Sequence, residues 1–242
     1  MVRPAAVIVL GFDTATPATV VGLLDSAAPG VVRERRNEPT AGERPGHAVQ
    51  LLALARELLD EAGVGFADVD RVAVGVGPGT FTGLRIGVAT ARALAQSAGA
   101  ELVGVSTLRA LAAGAESDAP TGAGVLAVLD ARRGEVFAAG WRDGAEVLAP
   151  VALPPEALAQ RLRADGKSWL AVGDGALRFR SDLEDAGCLV ASDRSPLHGV
   201  AAAMICRLAL EAPQATARDR VVPDYLRPPD AARPTTAPPR DR

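Results

Sequence analysis

Two short apolar runs, each ending in an aspartate, are the feature that most constrains how this chain can fold. Residues 7–12 precede Asp13, and residues 125–129 precede Asp130. Uninterrupted runs of this length, rich in Val, Ile and Leu, are typical of strands buried on both faces. Each run leads through a short turn into a second strand. The repeated opening predicts two lobes of related topology in an α/β protein.

Alternating helix and strand patterns follow each opening. Leu51, Leu58 and their neighbours give residues 47–62 the spacing of an amphipathic helix, which Gly63 ends. The predicted strands are 7–12, 19–24, 31–37, 71–76, 101–105, 125–129, 135–141, 169–172 and 188–191, and the predicted helices are 47–62, 82–97, 155–163, 180–186 and 197–210. We expect a first lobe at 1–106, a second lobe at 107–222, and an extended, disordered tail at 223–242, which is rich in Pro, Arg and Thr.

Composition argues against several classes of protein. The net charge is −3, with both signs mixed along the chain, so the sequence lacks the concentrated basic face that binding to a nucleic-acid backbone requires. No stretch approaches the ~20 apolar residues of a membrane span. Cys188 and Cys206 are too few for a disulfide framework. We therefore expect a cytoplasmic protein that does not bind membranes.

The most informative local motif is the glycine loop, residues 77–83, which reads Gly-Pro-Gly-Thr-Phe-Thr-Gly between a strand and a helix. Backbone amides at a helix N-terminus suit an anion such as a phosphate. The loop is not a Walker motif, because Leu84 and Arg85 stand where Lys and Ser or Thr would follow. In the alternative interpretation, Gly77 and Gly79 shape a tight turn and a threonine caps the helix.

Small residues recur at helical spacing after the glycine loop. Gly83, Gly87 and Ala91 are four apart, and Ala89, Ala93 and Ser97 form a neighbouring track. Small residues let a second helix approach closely. One face of this helix must pack on the chain's own sheet. The spacing predicts that the other face, beside helix 47–62, pairs with a helix of another molecule.

Residues for catalysis are scarce. The two histidines, His47 and His198, are far apart in sequence, whereas a metal site needs three or four convergent ligands. Motifs of the HExxH, CxxC and GxSxG type are missing from the sequence. Asp13 and Asp130 follow buried strands, where carboxylates either cap turns or hold a nucleotide-bound metal. The second option would make the chain an ATPase or phosphotransferase.

Residues 77–87, followed by residues 103–108 (Val-Gly-Val-Ser-Thr-Leu), closely resemble the signature of the TsaB family, also called YeaZ. Supporting matches lie at 12–16, 130–132, 134–137, 172–175 and 225–227, in the family's order. Members of this family are bacterial subunits of the machinery that makes threonylcarbamoyladenosine in tRNA. The resemblance implies the fold of actin, sugar kinases and Hsp70, with two related lobes that each contain a mixed sheet and flanking helices.

The resemblance also implies that this chain is not an enzyme. TsaD, the catalytic paralogue, binds a metal through His-x-x-x-His after the corresponding strand, and the matching positions here are Thr107 and Leu111. A leucine cannot donate to a metal, and one threonine cannot replace two imidazoles. The implied role is to support TsaD as it transfers a threonylcarbamoyl group to N6 of adenosine 37 in tRNAs reading ANN codons.

Partners and site residues follow from the same resemblance. Expected partners are TsaD and TsaE, a second copy when the chain is alone, and tRNA indirectly through the complex. Pairing through the two first-lobe helices would use Val49, Leu52, Leu59, Gly83, Ile86, Gly87, Thr90, Ala91 and Leu94. No cofactor is expected to be required. ATP or ADP at the complex interface is the candidate ligand, in a cleft formed by Asp13, Thr14, Gly77, Gly79, Thr80, Asp130, Gly173 and Gly175.

Overall fold

The first half of the chain forms a five-stranded mixed sheet. The computed structural model describes residues 6–28, 32–40, 42–213 and 218–227. The strands are β1 (Ile8–Asp13), β2 (Thr19–Asp25), β3 (Val32–Asn37), β4 (Arg71–Gly77) and β5 (Glu101–Ser106), in the order β3-β2-β1-β4-β5. β1 runs antiparallel to β2 and parallel to β4, so Leu10 lies opposite Leu23 on one side and Val72 on the other.

The second half repeats this arrangement. Its strands are β6 (Gly124–Arg132), β7 (Glu135–Arg142), β8 (Ala145–Leu153), β9 (Trp169–Val172) and β10 (Leu189–Val190), in the order β10-β9-β6-β7-β8. β6 pairs antiparallel with β7 and parallel with β9, as β1 does with β2 and β4. The predicted fold of two related lobes, each with a mixed sheet and flanking helices, is confirmed.

Seven α-helices flank the two sheets within the described residues. They are α1 (His47–Ala62), α2 (Phe81–Ala98), α3 (Thr107–Ala113), α4 (Pro155–Asp165), α5 (Asp174–Arg178), α6 (Arg180–Asp185) and α7 (Ala202–Glu211). α1 and α2 cover the outer face of the first sheet, and α4, α5 and α6 cover that of the second. α3 and α7 lie in the core between the sheets. None of these helices is long and apolar enough to cross a membrane.

Burial on both faces explains why the central strands are continuously apolar. Along β1, Val9 faces the core between the sheets, and Leu10 faces the core beneath α1 and α2. Each such side chain contributes about 1.5–3 kcal/mol to folding when fully buried. Neither face of β1 can therefore accept polar residues. The alternation of apolar and polar residues that marks a half-exposed strand is absent from β1 for this reason.

Close contact between α7 and the first sheet depends on glycine. A Cβ atom on Gly11 of β1 would lie 2.7 Å from Cys206 Sγ, and one on Gly22 of β2 would lie 3.1 Å from the Ala202 Cβ. Burial raises the pKa of the Cys206 thiol to about 12, so the thiol stays protonated. α7 thus lies against the first sheet, although the sequence places it in the second lobe.

Four differences separate the observed elements from the predicted ones. The helix predicted at 197–210 is wrong at its start: a short turn of 3-10 helix covers Pro196–His198, and α7 begins at Ala202. The break occurs because the Val200 carbonyl accepts a hydrogen bond from Arg36 (3.0 Å), and Arg36 also lies over Gly199. Strand β8 and helices α3 and α5 are the other three differences, since the sequence pattern predicted none of them.

We expect Gly11→Ala to lower the free energy of unfolding by about 1–3 kcal/mol, because the added methyl group forces α7 away from β1. Gly65→Ala is the matched control, since the nearest atom to its added Cβ is 3.5 Å away, and we expect a change below about 0.5 kcal/mol. Urea denaturation of both variants measures the difference. Equal effects would contradict the packing described for α7.

Candidate functional site

The glycine loop packs against the chain's own first hairpin. The Thr80 amide donates to the Ala15 carbonyl (2.7 Å), and the Thr14 hydroxyl donates to the Gly83 carbonyl (2.8 Å). A Cβ atom on Gly79 or Gly83 would overlap the backbone of this hairpin. The glycines therefore permit a close approach of two backbone segments. Thr80 is the N-cap residue of α2 but makes no side-chain capping hydrogen bond, so the threonine cap of the alternative interpretation is not formed by this residue.

Asp13 is fully buried at the end of β1. Its carboxylate accepts hydrogen bonds from the Thr107 hydroxyl (2.7 Å) and the Ala15 amide (2.7 Å). Gly75 approaches so closely that a Cβ atom there would overlap this carboxylate. Burial raises the pKa of Asp13, although the hydrogen bond from Thr107 opposes the shift. In this arrangement Asp13 contacts the protein interior and does not reach the cleft.

Thr107 and Leu111 are the residues that the family resemblance matched to the metal-binding histidines of TsaD. Thr107 is the first residue of α3, and its hydroxyl donates to Asp13 while accepting from the Gly77 amide (3.2 Å). Leu111 lies in the apolar core between the sheets. The described residues contain no group of three or more His, Cys, Asp and Glu side chains that could hold a metal ion.

On the second lobe, Asp130 is held by two arginines. Its side chain is 6% exposed and forms ion pairs with Arg178 (2.8 Å) and Arg132 (3.2 Å). The Asp130 amide donates to the Asp174 carboxylate (3.0 Å), and burial raises the pKa of Asp174. Gly173, which precedes Asp174, packs against the backbone of β6. The two arginines thus balance the negative charge of Asp130 at the edge of the cleft.

A cavity of about 210 Å³ lies between the two lobes. It is bordered by residues 78–81 of the glycine loop, residues 130–132, Phe137 and residues 224–227. Of the predicted cleft residues, Gly79, Thr80 and Asp130 line it, whereas Asp13, Thr14, Gly77, Gly173 and Gly175 do not. A second cavity of about 220 Å³ is bordered by Asp174 and His198. Each is smaller than the roughly 300–1,000 Å³ of most small-molecule sites.

The predicted pairing face requires correction. Leu59 lies on the inner side of α1 and is buried in the core beneath that helix. On α2, Gly83, Gly87 and Ala91 are buried and face the chain's own first sheet and hairpin. A Cβ atom on Gly87 would overlap the Thr14 hydroxyl. These four residues are therefore unavailable to a partner. The remaining predicted residues are Val49 (76% exposed), Leu52 (46% exposed) and the half-buried Ile86, Thr90 and Leu94.

The second track of small residues is the one that faces outward. Ala89, Ala93 and Ser97 are exposed along α2, which packs beside α1. Both tracks have the same four-residue spacing, so the sequence pattern alone does not distinguish them. We use the term α2 face for Ala89, Ala93, Ile86 and Thr90 with Val49 and Leu52 of α1.

The C-terminal residues Tyr225 and Arg227 received no role from the sequence, although they belong to the motif matches. The Tyr225 ring lies 5.2 Å from that of Phe81, and Arg227 forms an ion pair with Glu135 (2.7 Å). Residues 223–227 therefore pack against both lobes, where the sequence predicted an extended, disordered tail. The rest of that predicted tail, 228–242, lies outside the described residues.

Comparison with known proteins gives two consistent findings at the level of sequence. The family model described as TsaD, tRNA N6-adenosine threonylcarbamoyltransferase, matches residues 40–159. The tRNA threonylcarbamoyladenosine biosynthesis protein TsaB of Escherichia coli (strain K12) is 33% identical over 230 residues, which cover 90% of this chain and 94% of that protein.

Solved structures give a matching result. YeaZ from Pseudomonas aeruginosa superposes with a TM-score of 0.71 at 30% identity, covering 91% of this chain and 100% of that one. The ROK hexokinase from Thermus thermophilus has a TM-score of 0.52 at 13% identity, covering 84% of this chain and 100% of that one. The second likeness shows the fold alone, which is the actin-like fold of sugar kinases.

Acid is expected to destabilise the protein through His47, which anchors the start of α1. Its Nδ1 atom lies 2.8 Å from the Thr19 hydroxyl, and its Nε2 atom has no hydrogen-bond partner in the described part of the chain. Burial lowers the pKa of His47 below the ordinary 6.5. As pH falls through about 6.5, the unfolded chain therefore gains a proton that the folded chain resists, and stability decreases.

Thermal unfolding between pH 7.5 and 5.5 tests this expectation, with His47→Asn as the comparison. Asn keeps an acceptor for Thr19 but does not titrate. The wild-type Tm should fall more steeply with acid than the Tm of His47→Asn. Parallel pH profiles for the two proteins would exclude His47 as the source.

Proposed function

Because this chain belongs to the TsaB (YeaZ) family, we propose that it is a non-catalytic subunit that pairs with a TsaD transferase in the biosynthesis of threonylcarbamoyladenosine. The reaction it supports is transfer of the threonylcarbamoyl group to N6 of adenosine 37 in tRNAs reading ANN codons. TsaE joins the complex, and tRNA is contacted through it. When alone in the cytoplasm the chain forms a homodimer.

The hydrogen bond between Asp13 and Thr107 is the observation that carries the non-catalytic role. Both side chains are fully buried, and the Thr107 hydroxyl is occupied by Asp13 on one side and by the Gly77 amide on the other. A metal ligand must point a lone pair at an accessible ion. Thr107 has neither the imidazole nor the access, and Leu111 has no donor atom.

Pairing through the α2 face is supported by what the partner shares with this chain. The TsaD family model matches residues 40–159, a stretch that contains both α1 and α2. A TsaD transferase therefore has a related helix pair, and two such pairs can pack face to face around an approximate twofold axis. The exposed alanines of α2 let the facing helix approach closely.

We expect Ala93→Arg to weaken binding to the TsaD transferase by about tenfold or more, since a long charged side chain would separate the two helices. Ala164→Arg, at an exposed position of α4 in the other lobe, is the matched control. Isothermal titration calorimetry measures the two affinities, and thermal unfolding checks that both variants fold. If both variants bind as tightly as the wild type, pairing through the α2 face is wrong.

An ATPase or phosphotransferase is the second candidate function, and its nucleotide would bind in the cleft cavity bordered by Thr80 and Asp130. That function would require Asp13 to approach a nucleotide-bound metal, and it predicts ATP turnover that Asp13→Asn abolishes. Under the non-catalytic proposal, no cofactor is required, and ATP or ADP is at most a ligand at the complex interface. A steady-state ATPase assay on the isolated chain should detect no turnover, and Asp13→Asn should stimulate TsaD like the wild type at a temperature where thermal unfolding shows the variant to be folded.

A further inference from the structure

The C-terminal strap, residues 218–227, runs along the side of α2. Arg218 donates to the Ala100 carbonyl just beyond the C-terminal end of α2 (2.9 Å), and Tyr225 packs on Phe81 at its N-terminal end. Between these points, the buried Val221 side chain enters the core beneath α2. The strap therefore lies beside α2 along its length, antiparallel to the helix.

Two arginines of α2 hold the strap in place. Arg92 donates to the Val221 carbonyl (2.8 Å) and the Asp219 carbonyl (2.9 Å). Arg85 lies over the Phe81 ring and donates to the Tyr225 hydroxyl (3.3 Å). Because both arginines extend from the flank of α2 next to its exposed alanines, the strap lies at the border of the α2 face.

The strap exposes apolar side chains along this border. Val222 is 54% exposed and Tyr225 is 39% exposed. Six large apolar side chains are exposed in the described part of the chain, and four of them belong to α1 or the strap, on the two sides of α2. Two-thirds of these exposed side chains thus lie on the elements that flank α2, and this uneven distribution is the reason to look for an interaction surface there.

We propose that the strap is a second contact element for the TsaD transferase, continuous with the α2 face, and that Arg92 is the residue that positions it. This inference rests on the proposed function, because it names the same partner. Val222 and Tyr225 supply apolar contacts at the edge of the helix pair. Arg92 contributes by fixing two strap carbonyls, so that these side chains are in place before the partner binds.

Val222→Asp tests the contact directly. Val222 packs against none of the three hydrophobic clusters, so an aspartate should leave the fold intact while placing a charge in the interface. The matched control is Val147→Asp, the same substitution at a valine of similar exposure (47%) on β8 of the other lobe. Calorimetric titration with the TsaD transferase of the same organism should show binding weakened by about tenfold or more for Val222→Asp and unchanged for Val147→Asp.

Arg92→Ala tests the positioning role. Hydrogen–deuterium exchange should show faster exchange at residues 218–227 in the free variant than in the free wild type, together with weaker binding to the transferase. In the wild type, exchange of the same residues should slow when the transferase is added. Faster strap exchange with unchanged affinity would overturn the role given to Arg92.

The outcomes also separate this inference from the proposed function. If Val222→Asp binds like Val147→Asp while Ala93→Arg loses binding, the strap is not a contact element, and pairing through the α2 face stands. If the wild-type chain itself does not bind the transferase, the proposed function is wrong and the strap contact is wrong with it.

Discussion

The buried hydrogen bonds around Asp13 are the interaction on which the rest of the structure depends. The carboxylate ends β1 and accepts from Thr107 at the start of α3, and the same hydroxyl accepts from the Gly77 amide at the end of β4. Strands β1 and β4 and helix α3 thus meet at the Asp13–Thr107 pair. Burying a carboxylate is unfavourable unless it is hydrogen-bonded, and here Thr107 and the Ala15 amide provide those bonds. The same contacts leave neither side chain free for chemistry.

Strands buried on both faces and helices buried along one face could be predicted from the sequence. The two apolar runs became β1 and β6, and helix α1 has the predicted bounds of His47–Ala62. β8 was missed because it is an edge strand whose residues are exposed or half-buried except Leu153, with Pro150 in its middle. α3 was missed because it is buried nearly all round and so has no amphipathic period.

The candidate site could be predicted only in outline. The spacing of small residues predicted a close contact between α2 and a helix of another molecule, whereas Gly83 and Gly87 contact the chain's own hairpin. The pattern could not show which track faces inward. The inward orientation of one track depends on the hairpin at Thr14, which is 69 residues from Gly83 in sequence. The contacts of Arg92 with the strap span 127 and 129 residues, and no local pattern records such pairs. The family resemblance identified Tyr225 as part of a motif but assigned no role to it.

Reconstituted threonylcarbamoyl transfer is the measurement that tests the central claim most directly. TsaD and TsaE would be assayed on tRNA with threonylcarbamoyl-AMP, with and without this chain. The account predicts that transfer depends on the chain. It also predicts that Asp13→Asn, although less stable because its amide has one acceptor oxygen for two donors, supports transfer as well as the wild type at a temperature where thermal unfolding shows it to be folded, since the chain acts through its surface. Transfer that is equally fast without the chain, or that is lost with Asp13→Asn in a folded protein, would contradict the account.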